Sequence, residues 1–482
     1  MLFNSLKFMI FLPVVLILYW GMPHRFRKYF LLAASYYFYM CWKPEFIVLI
    51  LFSTAVNYFC SLGLERFVRR KKLLLTADLV INLGLLFVFK YLNFFGETVT
   101  ALCRAVSIPF AAPVLDIILP VGISFYTFQT LSYTIDVYRG KMKAERDFVT
   151  FALFVSYFPQ LVAGPIERAD NLLPQLKKER IFRYEQAAHG ARLMAWGFFK
   201  KCVCAAYLAQ LADAVYNDVP AASGGAAALA TAAFALQIYC DFGGYSDIAR
   251  GCSEMMGVEL MVNFKAPYFA LSIRSFWQRW HISLTSWFRE YVYFPLGGSR
   301  KGLARTLRNT WIVFALSGLW HGASWTFVVW GVLHALYLSA ELIWRRARSA
   351  AGSRHRGACY KVFMQLKTFI LACVAWVFFR ADTMADALAV LRAAAVGLLH
   401  PANWLREAWS LLTAEGMLTA CVTVLSVAVL LGGDLLDEKT DAMAAVGRLR
   451  PAARYGLYVV FLVAMLLLIP KTTAAPFIYF QF

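Results

Sequence analysis

The sequence contains two histidines, forty residues apart, whose surroundings suit proton transfer. His321 lies in SGLWHGASWTF (317–327), a stretch that otherwise resembles a membrane or protein interior. A neutral imidazole with a pKa near about 6.5 can accept a proton from a hydroxyl group, and Gly318 and Gly322 leave room for a substrate. The alternative is an imidazole that hydrogen-bonds between helices while the glycines allow close packing. The residues by themselves leave both interpretations open.

His281 belongs to a segment of dense aromatic and polar residues, IRSFWQRWHISLTSWFREYVYFPLGG (273–298). Helical spacing predicts an apolar stripe of Ile273, Trp277, Trp280, Leu284 and Trp287. The same spacing predicts a polar stripe of Arg274, Gln278, His281 and Thr285. The polar stripe suits phosphate or carbonyl oxygens of a substrate, and it suits lipid headgroups equally well. We interpret residues 263–308 as an amphipathic segment at the cytoplasmic interface.

Other polar residues are weaker candidates. Asp241 and Asp247 flank a glycine pair in YCDFGGYSDIARG (239–251), where they could bind a cation or orient a histidine. Helix capping and turn formation are favoured there. Asp241 and Trp320 complete our candidate substrate-binding set with Arg274 and Gln278. His334 has no small polar neighbours, and we interpret it as structural.

Several kinds of chemistry have no motif in this sequence. GxGxxG and GxxxxGK[ST] are absent, which disfavours a directly ATP-driven pump. HExxH and His/Cys clusters at metal spacing are absent too. The ten cysteines are scattered, and we interpret them as buried thiols. We therefore expect no metal and no tightly bound cofactor.

The composition indicates a membrane protein. Hydrophobic residues make up 61% of the chain and charged residues only 16%, against about 25% charged residues in soluble domains. Apolar windows of about 20 residues recur along the chain, which predicts an all-α polytopic protein. The net charge of +20 comes from short basic clusters between the apolar spans. Positive-inside topology and anionic headgroups explain these clusters without a nucleic acid.

The basic clusters also predict which side of the membrane each loop faces. We assign four of them to the cytoplasm: 23–28, 65–72, 139–146 and 177–183. The first apolar segment is then a retained span with its N-terminus outside, and the tail 471–482 also lies outside. The remaining crossings are predicted at 29–63 (a pair that turns at WKPEF), 73–95, 113–137, 191–212, 227–245, 362–379, 411–433 and 455–470.

Two apolar segments have cytoplasmic clusters on both sides and cannot be simple crossings. Residues 148–165, which PQLVAGP interrupts, are predicted to be re-entrant, and 309–343 to form a hairpin or broken helix that turns near HGAS. Irregular backbone at membrane depth is tolerated where it lines a cavity or is packed in protein. Both segments therefore indicate an internal site within a single transmembrane domain, 1–482.

Two further segments leave alternatives open. The apolar stretch 122–140 carries four polar residues that form interhelical hydrogen bonds or line a tunnel: Ser124, Gln129, Ser132 and Thr134. Residues 403–409 (NWLREAW) form an interfacial helix or a partner-docking site.

Five blocks occur in the order of a known family: LPVGISFYTFQTLSYTIDVYRG, FPQLVAGPIER, QIYCDFGGYSDIARG, FWQRWHISLTSWFREYVYFPLGG and SGLWHGASWTFVVWGVLH. With them the chain resembles the membrane-bound O-acyltransferases, in the bacterial branch of the alginate O-acetylation protein and the teichoic-acid D-alanyl transferase. The resemblance covers essentially the whole chain. It implies a helical toroid with re-entrant elements and interfacial helices around a central pore. It also implies that His321 is the family's invariant membrane-embedded histidine and that His281 is its second site residue.

The resemblance further implies an activity. An acyl group, expected to be acetyl, would pass from a cytoplasmic thioester such as acetyl-CoA to hydroxyls of an envelope or secreted polysaccharide. The expected location is the bacterial inner membrane, and the expected partner is an extracytoplasmic acetyltransferase of the SGNH type. The tail FIYFQF has the form F-x-Y-x-x-F, which resembles a proposed acyl-carrier segment with Tyr479 as the carrier. The alternative is an aromatic anchor at the outer interface.

Other functions remain open at this point. A transporter or flippase for a polymer precursor would also need a polar cavity in a polytopic chain. D-alanyl transfer to teichoic acid is a second alternative, and the acceptor polymer is not identified by any residue.

Overall fold

The computed structural model describes residues 1–348 and 357–470. In these residues every regular element is a helix, which confirms the all-α fold class. Seven helices are long and apolar enough to cross a membrane, and the chain is a multi-pass membrane protein: Pro44–Arg66, Val68–Ala105, Gly224–Met255, Trp325–Ala347, Ala358–Arg380, Met417–Asp437 and Pro451–Leu468. The tail with Tyr479 lies outside the described residues.

The described residues form two compact units, each built from separate stretches of chain. The first contains Met1–Ala191 and Ile248–Met261, and the second contains Arg192–Asp247 and the described part of Val262–Phe482. Two of the three boundaries fall inside α10 (Tyr184–Phe198) and α12 (Gly224–Met255), and the third falls in irregular backbone between residues 261 and 262. The prediction of one domain over residues 1–482 stays a prediction.

Nine helices lie wholly within the first unit. They are α1 (Leu6–Gly21), α2 (His24–Met40), α3 (Ile47–Arg66), α4 (Lys71–Leu86), α5 (Leu92–Ala105), α6 (Ile123–Tyr138), α7 (Phe148–Ser156), α8 (Phe158–Leu161) and α9 (Ala169–Lys177). The predicted turn at WKPEF separates α2 from α3. The predicted interruption of 148–165 is confirmed, because α7 and α8 are short and irregular backbone follows them. Its re-entry into the membrane stays a prediction.

Eleven α-helices lie wholly within the described part of the second unit. They are α11 (Ala205–Tyr216), α13 (Ile273–Trp277), α14 (Ile282–Phe288), α15 (Leu303–His321), α16 (Trp325–Arg348), α17 (Ala358–Arg380), α18 (Met384–Gly397), α19 (Pro401–Thr413), α20 (Met417–Asp437), α21 (Ala442–Gly447) and α22 (Pro451–Leu468). The predicted hairpin of 309–343 is confirmed, since α15 and α16 are joined by a turn at 322–324. The segment 403–409 lies within helix α19.

The polar residues of α6 make interhelical hydrogen bonds. The Thr134 hydroxyl donates to Asn57 Oδ1 of α3 at 3.0 Å, and the Gln129 amide donates to the Phe154 carbonyl of α7 at 2.7 Å. Of the two alternatives for 122–140, these contacts favour hydrogen bonding between helices for Gln129 and Thr134.

The predicted turn at the glycine pair of YCDFGGYSDIARG is wrong. Both aspartates lie inside α12, which continues through the glycines to Met255. A Cβ at Gly244 would come 2.7 Å from the Gly197 carbonyl oxygen, so this glycine allows close packing against α10. The aspartates also do not cap a helix, because each forms an ion pair with a lysine.

These ion pairs lie in the interior of the second unit. A π-helical stretch, Phe199–Cys204, carries Lys200 and Lys201, which are both buried. Lys200 Nζ lies 3.0 Å from Asp247 Oδ2, and Lys201 pairs with Asp241. On α20, Asp434 accepts a 2.8 Å hydrogen bond from the Tyr239 hydroxyl. Buried charges are tolerated when they are paired in this way, and these pairs tie α12 to its neighbours.

The prediction of a continuous amphipathic helix around His281 is also wrong. The helical segment breaks after Trp277 and resumes at Ile282. His281 itself has φ 43°, which is the left-handed region. The Ile282 N–H donates to the Asn263 carbonyl oxygen at 2.9 Å, a bond that replaces the continuing helical pattern. The break turns His281 away from the stripe of Arg274 and Gln278, which are exposed while His281 is fully buried.

Candidate active site

The second unit brings His281 and His321 together. His281 immediately precedes α14, and His321 is the last residue of α15. Their ring centroids lie 6.2 Å apart, and Trp320 contacts both rings, with centroid distances of 5.8 Å and 4.9 Å. His281 is fully buried and His321 is 3% exposed. The two candidate imidazoles are therefore adjacent in space, although His281 does not lie on the polar stripe that the helical spacing predicted.

Asn263 orients the His281 ring. Its side-chain oxygen Oδ1 lies 3.1 Å from His281 Nδ1, and it also accepts bonds from the Ser283 N–H at 3.2 Å and the Ser283 hydroxyl at 2.9 Å. The Asn263 amide nitrogen donates to the Ser246 hydroxyl at 3.2 Å. An amide oxygen only accepts hydrogen bonds, so His281 Nδ1 must carry the proton and Nε2 the lone pair. The neutral ring therefore presents a basic nitrogen of defined direction.

His321 lies in an aromatic environment. Its ring packs edge-on against Trp330 and Phe379, with centroid distances of 5.0 Å and 5.4 Å. These residues belong to α16 and α17, so three helices position this imidazole. Aromatic walls lower the local polarity, which strengthens any electrostatic interaction inside them.

The glycines near His321 serve packing. A Cβ at Gly318 would come 2.3 Å from the Phe327 carbonyl oxygen, and one at Gly322 would come 2.1 Å from the Phe327 ring. The interpretation that these glycines leave room for a substrate is therefore wrong. They instead let α15 and α16 approach closely enough to place His321 against Trp330.

His334 has the structural surroundings that the sequence predicted. Its Nδ1 accepts a hydrogen bond from the Trp277 indole N–H at 3.2 Å, and it is fully buried. The bond fixes Trp277 at the end of α13, just before the backbone break at His281.

The other predicted substrate-binding residues are dispersed. Arg274 and Gln278 line a cavity of about 430 Å³ whose wall also includes Thr285 and Ser317. Neither imidazole lines this cavity, and the wall residue nearest to His321 along α15 is Ser317, one helical turn before it. Asp241, in contrast, is paired with Lys201.

Sequence reasoning missed Asn263. It precedes His281 by 18 residues in irregular backbone, and no motif or periodicity connects the two. The missed signal was the type of residue: a buried amide close to a candidate histidine can fix its tautomer.

Burial lowers the pKa of His281 to about 3, against about 6.5 in an unfolded chain. Below about pH 6.5 the unfolded state therefore binds more protons than the folded state, and stability falls as the pH decreases towards 3. We expect this histidine to contribute a decrease in the thermal unfolding midpoint of the solubilised chain between pH 7.5 and pH 5. The decrease should be smaller in His281→Gln, and equal decreases in both proteins would contradict the prediction.

Comparison with known proteins identifies the family of this chain. The model of the MBOAT, membrane-bound O-acyltransferase family, matches residues 142–379, which include both histidines and Asn263. The chain is 40% identical over 395 residues to the "Probable alginate O-acetylase AlgI" of Pseudomonas aeruginosa, covering 80% of this chain and 73% of the relative. It is 35% identical over 426 residues to the peptidoglycan O-acetyltransferase of Helicobacter pylori, covering 81% and 79%.

A more distant relative is the teichoic acid D-alanyltransferase of Streptococcus thermophilus, which is 27% identical over 257 residues, covering 50% of this chain and 61% of the relative. The alginate and peptidoglycan relatives match far more of the sequence. From these matches, the chain belongs to the membrane-bound O-acyltransferase family.

Proposed function

We propose that this O-acyltransferase moves an acetyl group from a cytoplasmic thioester, acetyl-CoA, to hydroxyls of an envelope or secreted polysaccharide outside the bacterial inner membrane. The observation that carries the proposal is the buried pair of His321 and His281, with His281 held in one tautomer by Asn263. The names of the alginate and peptidoglycan relatives support acetyl transfer to a polysaccharide.

The first step transfers the acetyl group to Tyr479 in the tail. A phenol with a pKa near about 10 is a weak nucleophile at neutral pH until a base removes its proton. His321 takes that proton, and the phenolate oxygen attacks the thioester carbonyl carbon. A C–O bond forms, the C–S bond breaks, and the departing thiolate takes the proton back from the imidazolium. The products are a free thiol and an aryl ester.

The second step consumes the aryl ester. A polysaccharide hydroxyl attacks the acetyl carbonyl, a new C–O bond forms, and the tyrosine oxygen leaves and regains a proton. We assign this step to an extracytoplasmic partner of the SGNH type. An aryl ester is activated enough for the transfer because a phenolate is a better leaving group than an alkoxide.

The site suits the first step in two ways. Ring centroids 6.2 Å apart put both imidazoles within reach of one two-carbon acyl group. The wall of the cavity of about 430 Å³ includes Arg274, Arg289 and Arg345 together with aromatic side chains. The guanidinium groups suit the phosphates of a nucleotide thioester, and the aromatic rings suit its base.

The test is mass spectrometry of the C-terminal peptide after incubation of wild type, His321→Ala and Tyr479→Phe with acetyl-CoA. We expect an acetyl increment on Tyr479 in wild type and none in either variant. If Tyr479→Phe retained full acetylation of the polysaccharide in cells, the tyrosine relay would be excluded, and direct transfer at His321 would remain.

Replacing Asn263 should slow the reaction without unfolding the chain. In Asn263→Ala the Nδ1–H of His281 loses its acceptor, at a cost of about 1–3 kcal/mol, so we expect thiol release from acetyl-CoA to slow by about 5- to 150-fold. Ser246→Ala is the matched control, because it removes the acceptor of the Asn263 amide nitrogen and leaves the bond between Asn263 Oδ1 and His281 in place. Equal losses in both variants would assign Asn263 a merely structural role.

A further inference from the structure

A second cavity, of about 520 Å³, lies in the first unit and has no role in the proposed reaction. We call it the basic cavity, because its wall carries the cationic side chains of Arg25, Arg27, Lys28, Arg146, Lys177 and Lys178 against the carboxylates of Glu145 and Asp147. These residues come from three of the four clusters assigned to the cytoplasmic side. The positive-inside rule explains the side on which each cluster lies, but it does not require that three of them meet at one concave surface.

The positive charge of the basic cavity is only partly compensated. Three of the six cations have carboxylate partners, in the pairs Lys28–Asp147, Lys177–Glu145 and Arg146–Glu65. In the part of the chain that the structure describes, the other three have no carboxylate partner: Arg25, Arg27 and Lys178. A net positive cavity of this kind attracts an anion.

The start of α2 adds to the positive potential. A helix N-terminus favours acidic residues, but the first turn of α2 has none and instead begins with His24 and Arg25. Within residues 1–348 and 357–470, His24 Nδ1 is buried without a hydrogen-bond partner. The positive side chains at the start of α2 thus lie at the positive end of the helix dipole, which is unfavourable. A bound anion would compensate both positive charges.

Arg27 is held in place for such an anion. Its Nε donates to the Met22 carbonyl at 3.2 Å, and another guanidinium nitrogen donates to the Arg180 carbonyl at 2.7 Å. The guanidinium also lies 5.0 Å from the ring centroids of both Tyr19 and Trp20. A guanidinium fixed in this way loses little side-chain entropy when it binds a phosphate.

The surroundings of the basic cavity indicate the kind of anionic ligand that it binds. Large apolar and aromatic side chains of the same unit are exposed in the segments that form its wall: Phe26, Tyr29, Ile181, Phe182 and Tyr184. The Phe182 ring packs edge-on against Trp20, with centroids 5.4 Å apart. Trp20 is one of the two aromatic rings that contact the Arg27 guanidinium, so the exposed residues adjoin the cavity. Exposed aromatic and basic residues side by side are typical of a membrane interface, whereas a soluble phosphate would need no apolar neighbours.

We propose that the basic cavity binds the phosphate headgroup of an anionic phospholipid from the cytoplasmic leaflet. Arg25, Arg27 and Lys178 would neutralise the phosphate, and the acyl chains would lie against the exposed apolar side chains. None of its wall residues belongs to the histidine site, and the proposal does not depend on the proposed function.

The test uses the full chain purified in a neutral detergent, with native mass spectrometry of lipid adducts. Phosphatidylglycerol and phosphatidylcholine are added to wild type, to Arg25→Gln/Lys178→Gln, and to Arg69→Gln/Arg70→Gln. The last variant loses the same charge from exposed residues outside the cavity. Titration with pyrophosphate distinguishes a soluble phosphate from a headgroup.

We expect wild type to prefer phosphatidylglycerol and the cavity variant to bind it about 30-fold more weakly, since two interfacial cations are removed. The control variant should retain wild-type binding. Equal binding of the two lipids would overturn the proposal, as would an equal loss in the two variants. Pyrophosphate binding to the cavity without any preference for phosphatidylglycerol would assign the site to a soluble phosphate and overturn the lipid assignment.

Discussion

His321→Ala is expected to lower the rate of acetyl transfer by about 10²- to 10⁴-fold, the usual contribution of a positioned general base. His321 is the only one of the two site imidazoles that ends a helix and is enclosed by Trp320, Trp330 and Phe379. Alanine removes the proton acceptor and leaves those walls in place. The measurement is release of free thiol from acetyl-CoA by the chain reconstituted in liposomes, together with polysaccharide acetylation in cells.

The control for this variant is His400→Ala. His400 is an exposed histidine in the same unit, so its loss should leave the rate unchanged. Gel filtration and circular dichroism must show that both variants are folded. A folded His321→Ala protein with wild-type thiol release would remove His321 from the reaction and direct attention to His281.

Lys200→Met should destabilise the second unit by about 1–3 kcal/mol, because the carboxylate of Asp247, whose side chain is 15% exposed, loses the ammonium group that it faces. Lys200 Nζ is 3.0 Å from Asp247, and the ammonium also lies 5.0 Å from the ring centroid of Tyr239, whose hydroxyl binds Asp434. Methionine preserves much of the side-chain volume but none of the charge. We expect a lower yield of monodisperse protein and a lower unfolding midpoint in detergent.

Two further variants test the cause of that loss. Lys200→Met/Asp247→Asn removes both charges of the ion pair and should recover part of the stability, because the carboxylate is removed together with the ammonium group. Lys72→Met, at an exposed lysine, should change the stability by less than about 0.5 kcal/mol. If the double variant were no more stable than the single one, the loss would come from packing and not from the broken ion pair.

Two local signals in the sequence predicted His321 and its hairpin: an imidazole in an apolar stretch, and basic clusters on both sides of the segment. The structure confirms the hairpin. His281 was predicted as a candidate from its residue type, but its position on a polar helical stripe was wrong. A single residue in the left-handed region broke the helical spacing, and no periodicity analysis can detect such a break in advance. Asn263 was missed because its contact with His281 depends on how the irregular backbone folds.

The aspartates of α12 illustrate a different limit. Two carboxylates around a glycine pair fit a turn on local grounds, and the glycines strengthened that prediction. Their true partners, Lys200 and Lys201, lie 47 and 40 residues earlier in the chain. Tertiary packing decided the outcome, and no pattern within the segment could have indicated it.

The same separation affects how the protein is made. Lysines are costly in a helix that enters the bilayer alone, at about 2.5–3.5 kcal/mol each near its centre. Lys200 and Lys201 leave the ribosome before Asp241 and Asp247, by an interval of about 2–10 s at about 5–20 residues per second. If residues 191–212 cross the bilayer as the sequence predicts, we expect the nascent segment to remain at the translocon or at the membrane surface until α12 has been synthesised and can neutralise it. The two segments would then insert together, and truncation of the chain between them should leave the first one outside the bilayer.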